Sequence, residues 1–439
     1  MIASPTDKGP QTALPGARIA LVLLLAINLF NYIDRQVLAA VETDIEETFF
    51  PASEYPRDPK TGEPEDKTIE AKIGSLNFAF MMSYMLIAPL FGWLGDRMSR
   101  WLLIGIGVTL WTVASGMSGL APTFVALWIT RCFVGIGEGA YGPTAPTVIA
   151  DLYPVKQRGT KLAWFYVAIP VGSALGYVLG GIVAKMTGDW RWAFYMVVPP
   201  GLLLGAWCYF MREPARGQSD AVTSRKATWK DYVVILKTPS YVLNTTGMTA
   251  MTFALGGIAF WMPRYVFKVR GWGDKAEVNI IFGGIVVVAG LAATILGGWL
   301  GDKLRARWSG SYFLVSGFAL LLGFPAMLLV LWVPFPLAWG FVFIAAFCLF
   351  FNTGPTNTVL ANVTHPAVRS SAFALNILVI HALGDAVSPA IIGYVARLAE
   401  SWEIAFGVVS AMFLVGGMAW LYGAKYLERD TALAPTRLG

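Results

Sequence analysis

The chain has 439 residues, 56% hydrophobic and 14% charged, with a net charge of +6. A soluble globular chain carries about 25% charged residues, so this apolar excess excludes a single water-soluble core. The pI near 9.1 does not point to nucleic acid, because the basic residues sit in short loops beside apolar runs, as membrane topology demands.

The first 16 residues are polar and contain proline, without an apolar leader core, so no cleaved signal peptide is expected. Apolar runs of about 20 residues, enough to cross ~30 Å of hydrocarbon, then predict twelve spans. They fall at 18–41, 70–93, 102–120, 123–150, 161–185, 191–211, 240–266, 277–299, 311–333, 336–361, 370–396 and 402–425. The acidic, proline-rich connection 42–69 is read as a solvated linker. The basic connection 212–239 carries Arg212, Arg216, Arg225, Lys226, Lys230 and Lys237. It divides an all-α membrane protein with twelve transmembrane helices into two six-helix bundles, 1–211 and 240–439. The Lys/Arg asymmetry of the loops places both termini and the linker in the cytoplasm, with the protein in the cell (plasma or inner) membrane.

The first span contains "NYIDRQ" at 31–36, and Asp34 and Arg35 interrupt an otherwise apolar stretch. Asp34 is ~13 Å from the outer end of its helix at 1.5 Å per residue. In the fourth span Arg131 lies ~12 Å in by the same rise, so Asp34, Arg35 and Arg131 share a level. Glu138 stands two turns from Arg131 on the same helix face, nearer the midplane. Intramembrane charges face the interior and mark ion or substrate paths. Asp34 and Glu138 therefore either exchange protons, with Arg131 and Arg35 setting their affinities, or form a static ion pair.

Between spans two and three runs "GWLGDRMSR" at 92–100, repeated as "GWLGDKLRAR" at 298–307. Gly92 and Gly95 allow close helix approach. Asp96 suits the N-terminus of a neighbouring helix, where the macrodipole favours an anion. Arg97 and Arg100 are expected to pair with acidic groups and latch the two halves, with Asp302 in the second copy. A second repeat aligns residues 148–164 with 359–375 without gaps, placing Arg158 on Arg369 and Ala163 on Ala374. Parallel repeats joined by a long linker describe a transporter with its site between the halves.

"GIGEGA" at 135–140 fits a dinucleotide fingerprint only superficially, because no strand precedes it. No P-loop, metal cluster or nucleophile–base pair is found, so neither an enzyme nor a cofactor is expected. Cys132, Cys208 and Cys348 all lie in apolar runs and suggest no disulfide framework. In the eleventh span His381 and Asp385 share a face at i, i+4, beside a helix-bending "SPA" at 388–390. Asn28, Asn31, Tyr166, Phe351, Asn352 and Asn376 are candidates for a cavity wall.

The twelve spans and the duplicated loop resemble the major facilitator superfamily, with departures at Ser99 and Trp101. "NYIDR", "GEGAYGPTAPTVIADLYP", "AIPVGSALGYVLGG" and "HALGDAVSPAIIGY" resemble its Spinster branch, which exports sphingosine phosphate or lysophospholipids and has bacterial relatives. The resemblance implies proton sites at Asp34 and Glu138, with Arg131 as switching partner and Arg35 as an accessory cation. It implies a monomer working by alternating access, with an amphipathic substrate, protons and membrane lipids as partners. A small organic anion or drug as substrate, and an uncoupled scramblase or receptor, stay open as alternatives.

Overall fold

The computed structural model describes residues 12–56, 66, 68–220 and 227–438. The expected basic residues Arg225 and Lys226, and part of the acidic connection, lie outside them. The described residues form helices and no strands. The first half comprises α1 (Ala17–Ala40), α2 (Glu42–Phe49), α3 (Thr68–Gly95), α4 (Arg100–Gly119) and α5 (Phe124–Tyr141). It continues with α6 (Ala145–Leu152), α7 (Arg158–Tyr166), α8 (Ala168–Thr187), α9 (Arg191–Tyr195) and α10 (Val198–Cys208). A linker helix α11 (Trp229–Leu236) leads to α12 (Pro239–Arg264), α13 (Lys275–Arg305), α14 (Ser311–Trp332) and α15 (Ala338–Phe350). Then come α16 (Thr353–Val363), α17 (Arg369–Ile380), α18 (Ser388–Leu398) and α19 (Trp402–Leu433).

Nine helical stretches among the described residues are long and apolar enough to cross a membrane. The three remaining expected spans fall on α5–α6, α9–α10 and α12. Several expected spans are broken helices. The span 123–150 divides at Gly142 and Pro143, where proline removes a backbone donor. The span 370–396 is interrupted by a π-turn at His381–Asp385, with Gly384 at φ −106° and ψ −108°. Outward-facing side chains such as Val22, Leu86, Phe318 and Leu322 are exposed and apolar, as contact with lipid requires.

The segment 42–69 departs from the expected solvated linker at its start. Residues 42–49 form α2, whose Ile45 is buried and whose Phe49 ring packs 6.2 Å from both Phe124 and Trp190. The apolar Ile45 and Phe49 are spaced i, i+4 and present one face to the bundle.

The halves meet closely at the end that carries the linker, called the linker face below. There α3 packs on α17, and α13 packs on α7. Glycine makes both approaches possible. A Cβ on Gly92 would lie 2.4 Å from Ala374 Cβ, and one on Gly298 would lie 2.3 Å from Ala163 Cβ.

Candidate functional site

Asp34 and Arg35 are adjacent on α1, so their side chains leave the helix about 100° apart. Asp34 turns to α4, where its Oδ1 accepts a hydrogen bond from Ser115. Arg35 turns to α3 and α5. Its Nε and Nη2 donate to Glu138 Oε2 at 2.6 and 2.5 Å. The Arg35 guanidinium also lies 4.9 Å from the Tyr32 and Phe80 ring centroids and 5.1 Å from that of Tyr84. Such aromatic faces stabilise a desolvated cation.

Arg131 is 1% exposed, as is Glu138, and Asp34 is 2% exposed. Arg131 Nε and Nη1 have no hydrogen-bond partner, nor do Asp34 Oδ2 and Glu138 Oε1. Both carboxylates act on Arg131 electrostatically, and its guanidinium stands 5.7 Å from the Phe80 ring. The four charged residues are thus brought together, with Arg35 rather than Arg131 bonded to Glu138. Arg35, expected as the accessory cation, holds Glu138, while Arg131, expected as the switch, has unused donors. Phe80, Tyr84 and Ser115 complete the cluster and were not singled out by the sequence. Their only signal is aromatic or polar character on neighbouring spans.

Across the halves His381 Nδ1 lies 2.9 and 3.0 Å from the Asp385 carboxylate oxygens. The His381 ring packs 5.6 Å from that of Tyr84, which places this pair opposite the Arg35–Glu138 pair. Tyr166 donates to Asn357 Oδ1 at 2.9 Å and so also bridges the halves. Asn31 is buried against the charged cluster, where its side chain acts on the Glu138 carboxylate.

The other expected wall residues are tied into packing. Asn28 donates to the Phe165 carbonyl at 2.8 Å, Asn352 to Cys348 at 2.7 Å, and Asn376 Oδ1 accepts from Thr245 at 2.9 Å. Phe351 lines a lateral groove of about 510 Å³ with Leu304, Phe318 and Phe347. It therefore belongs to the outer surface of α13–α15.

The duplicated loops form two matching latches. Asp96 Oδ1 accepts from Ser370 N at 2.9 Å, and Oδ2 accepts from Ser371 N and Oγ at 3.1 and 2.5 Å. Asp302 Oδ1 accepts from Gly159 N at 3.1 Å, and Oδ2 accepts from Thr160 N and Oγ1 at 2.7 and 2.6 Å. Each aspartate therefore caps the first turn of a helix in the other half, α17 and α7 respectively. Gly95 sits under Ser370, where a Cβ would approach Ser370 Cβ to 3.0 Å. Burial pushes the Asp96 carboxyl up to about 7, against the hydrogen bonds from Ser371 and Ser370.

Arg100 pairs with acids, Asp151 at 2.5 Å and Glu213 at 2.7 Å, but these belong to its own half and to the linker, so it does not itself bridge the two halves as expected. Among the described residues Arg97 does not meet an acid. It lies 4.3 Å from the Trp93 ring and donates to the Tyr232 hydroxyl and, at 3.1 Å, to the Ala227 carbonyl. Trp93 belongs to the motif, but Ala227 and Tyr232 come from the linker, which the loop motif itself does not reveal. The departures at Ser99 and Trp101 have local reasons. Ser99 Oγ caps α4 at Leu102 N, and Trp101 is buried at 2% exposure.

Residues 24–389 match the profile of the Major Facilitator Superfamily. Human protein spinster homolog 1 is 34% identical over 466 residues, covering 97% of this chain and 85% of that protein. A bacterial homologue of the human lysosomal transporter Spinster, solved inward-facing and unoccupied, superposes with a TM-score of 0.60 at 22% identity, covering 97% and 98% of the two chains. The proton:xylose symporter XylE superposes with a TM-score of 0.71 at 16% identity, covering 94% and 95%. At these identities the solved structures speak for the fold alone.

Proposed function

The chain belongs to the major facilitator superfamily and, within it, to the Spinster transporters, and from that premise we propose a proton-coupled carrier of amphipathic, lipid-like molecules. The observation that carries this reading is the buried quartet of Asp34, Arg35, Arg131 and Glu138. Two carboxylates balance two guanidinium groups, yet each carboxylate keeps one unpartnered oxygen and Arg131 keeps two unpartnered donors. A buried polar group without a partner is costly. Such a cluster gains when a proton or an anionic head group arrives.

Protonation of Glu138 weakens its hold on Arg35, and protonation of Asp34 removes its electrostatic pull on Arg131. Either step frees a cation for an anionic head group. His381 and Asp385 face this site from the second half and contribute polar contacts to the substrate. Coupling needs alternating access, and the Asp96 and Asp302 latches hold the linker face shut in the present state. In this reading the linker face and both termini are cytoplasmic, the protein sits as a monomer in the cell membrane, and it uses no cofactor besides protons.

A small organic anion is the second reading, because two buried arginines suit a carboxylate as well as a phosphate. Purified protein in vesicles separates the two. Sphingosine phosphate, a lysophospholipid and a sugar acid are offered with and without a pH gradient. Gradient-driven transport of either lipid is expected. Strong sugar-acid uptake with no lipid transport would transfer the assignment to the organic anion, and lipid movement independent of the gradient would indicate scrambling.

A further inference from the structure

The linker does more than join the halves. Between α10 and α11, residues 213–220 thread into the latch on the linker face. Glu213 accepts from Arg100 Nε and N at 2.7 and 2.9 Å, and the Pro214 carbonyl accepts from Arg100 Nη2 at 2.9 Å. Arg216 donates to the Gly95 and Met98 carbonyls at 2.7 and 2.5 Å. Gly217, at φ 73°, turns its N–H to Asp151 Oδ1 at 3.0 Å. Asp220, its side chain 8% exposed, then lies between two arginines, 2.6 Å from Arg158 Nη2 and 2.8 Å from Arg369 Nη2.

The internal repeat explains why a carboxylate is needed there. Aligning 148–164 with 359–375 places Arg158 on Arg369, Tyr153 on Thr364 and Asp151 on Asn362. The two arginines behave as a symmetric pair. Arg158 donates to the Tyr153 carbonyl at 3.1 Å, and Arg369 to the Thr364 carbonyl at 3.4 Å. Each also reaches the aligned polar residue of the opposite half. Arg369 meets Asp151 at 2.7 Å, whereas Arg158 meets Asn362 Oδ1 at 3.0 Å. The symmetry fails at that one place: the second half offers an amide where the first offers a carboxylate. Arg158, fully buried, would have no ionic partner from the repeat itself.

We propose that Asp220 is a gate residue supplied by the linker, standing in for the carboxylate missing at Asn362 and clamping Arg158 of the first half to Arg369 of the second. Separating the halves at the linker face pulls these arginines apart, and Asp220 can follow only one of them. Residues 213–220 therefore act as a strap that withdraws before this face opens. Burial raises the Asp220 carboxyl, but Arg158 and Arg369 outweigh it and hold the group below the usual carboxylate range. The strap thus stays charged at neutral pH. Asp220 positions the gate and touches no substrate. Its role presupposes a transporter that opens at this face, but it can be read without any substrate or proton gradient.

The test uses the full-length protein in lipid nanodiscs, with Cys132, Cys208 and Cys348 replaced and spin labels at the exposed positions Lys156 and Arg307. Wild type gives mainly the short distance across the linker face. Asp220→Asn is expected to raise the ratio of long to short distances at least about tenfold, because two hydrogen bonds between charged groups are weakened. Asn362→Asp in the same chain returns the carboxylate to its repeat position and is expected to restore the short distance. In the Asn362→Asp background, loss of Asp220 should change neither the distances nor the thermal midpoint relative to Asn362→Asp alone. This arm remains readable if Asp220→Asn by itself does not fold. An unchanged distribution in Asp220→Asn overturns the proposal. So does failure of Asn362→Asp to restore closure, or a shift on removing Asp220 from that background.

Discussion

The linker-face latches and the mid-span quartet both place charge in largely buried surroundings, yet their polar atoms are treated oppositely. Asp96 and Asp302 spend both carboxylate oxygens on helix N–H groups and hydroxyls of the opposite half. Asp34, Glu138 and Arg131 leave oxygens and donors without partners. A satisfied buried network fixes one arrangement, whereas a part-satisfied one awaits another partner. The comparison therefore separates parts that hold a state from parts that change occupancy.

The largest expected effect comes from breaking the one tight pair inside the quartet. Arg35→Ala leaves Glu138 buried without its cation and is expected to cost about 3–5 kcal/mol, read as a fall in thermal midpoint in detergent. Arg131→Ala should cost clearly less, because Nε and Nη1 make no hydrogen bonds to lose. Equal losses would erase the distinction between held and waiting groups. Next in size is Gly92→Val, which drives a side chain into Ala374 and the Ser370 carbonyl. Overpacking of this kind costs about 1–3 kcal/mol, and it should appear as a longer distance across the linker face. The matching change at Gly298 should act alike.

A smaller effect follows from Asp96. Its carboxyl, pushed up to about 7 in the closed arrangement by burial, returns toward about 4 when the latch opens to water. The closed state then binds the proton more tightly, so the Asp96 contribution to closure is present at low pH and lost as pH rises toward 7. From pH 5 to 7 the closed-to-open ratio should fall by up to about tenfold per unit, then level off. Asp96→Asn should flatten that slope. Asp220, held low by its arginines, does not titrate in this window. The smallest effect is expected of Arg97→Ala. With no acid to lose, it should shift the open-to-closed ratio by about twofold or less.

The legible part of this molecule was whatever repeats or interrupts a pattern. Apolar runs gave the spans, and the duplicated glycine–aspartate loop gave Asp96 and Asp302 their places. Asp34, Arg35, Arg131 and Glu138 stood out because charge is rare in a span. The hidden part depends on rotation and on long side chains. One residue of separation sends Asp34 toward Ser115 and Arg35 toward Glu138, which depth alone does not resolve. Arg97 meets Ala227 and Tyr232 because the linker folds back, and basic composition alone says nothing of that. Glu213 and Asp220 escaped notice because the linker reads as a positive stretch. The aligned pair Asp151 and Asn362 carried the missing hint, visible once the arginines are seen to be symmetric.

The most direct measurement compares Glu138→Gln with wild type in vesicles, in two modes: pH-gradient-driven lysophospholipid transport and exchange at equal pH on both sides. If the quartet couples protons to transport, the variant loses the gradient-driven mode to the level of empty vesicles and keeps exchange. Gradient-driven transport that survives with its pH dependence intact would contradict the account.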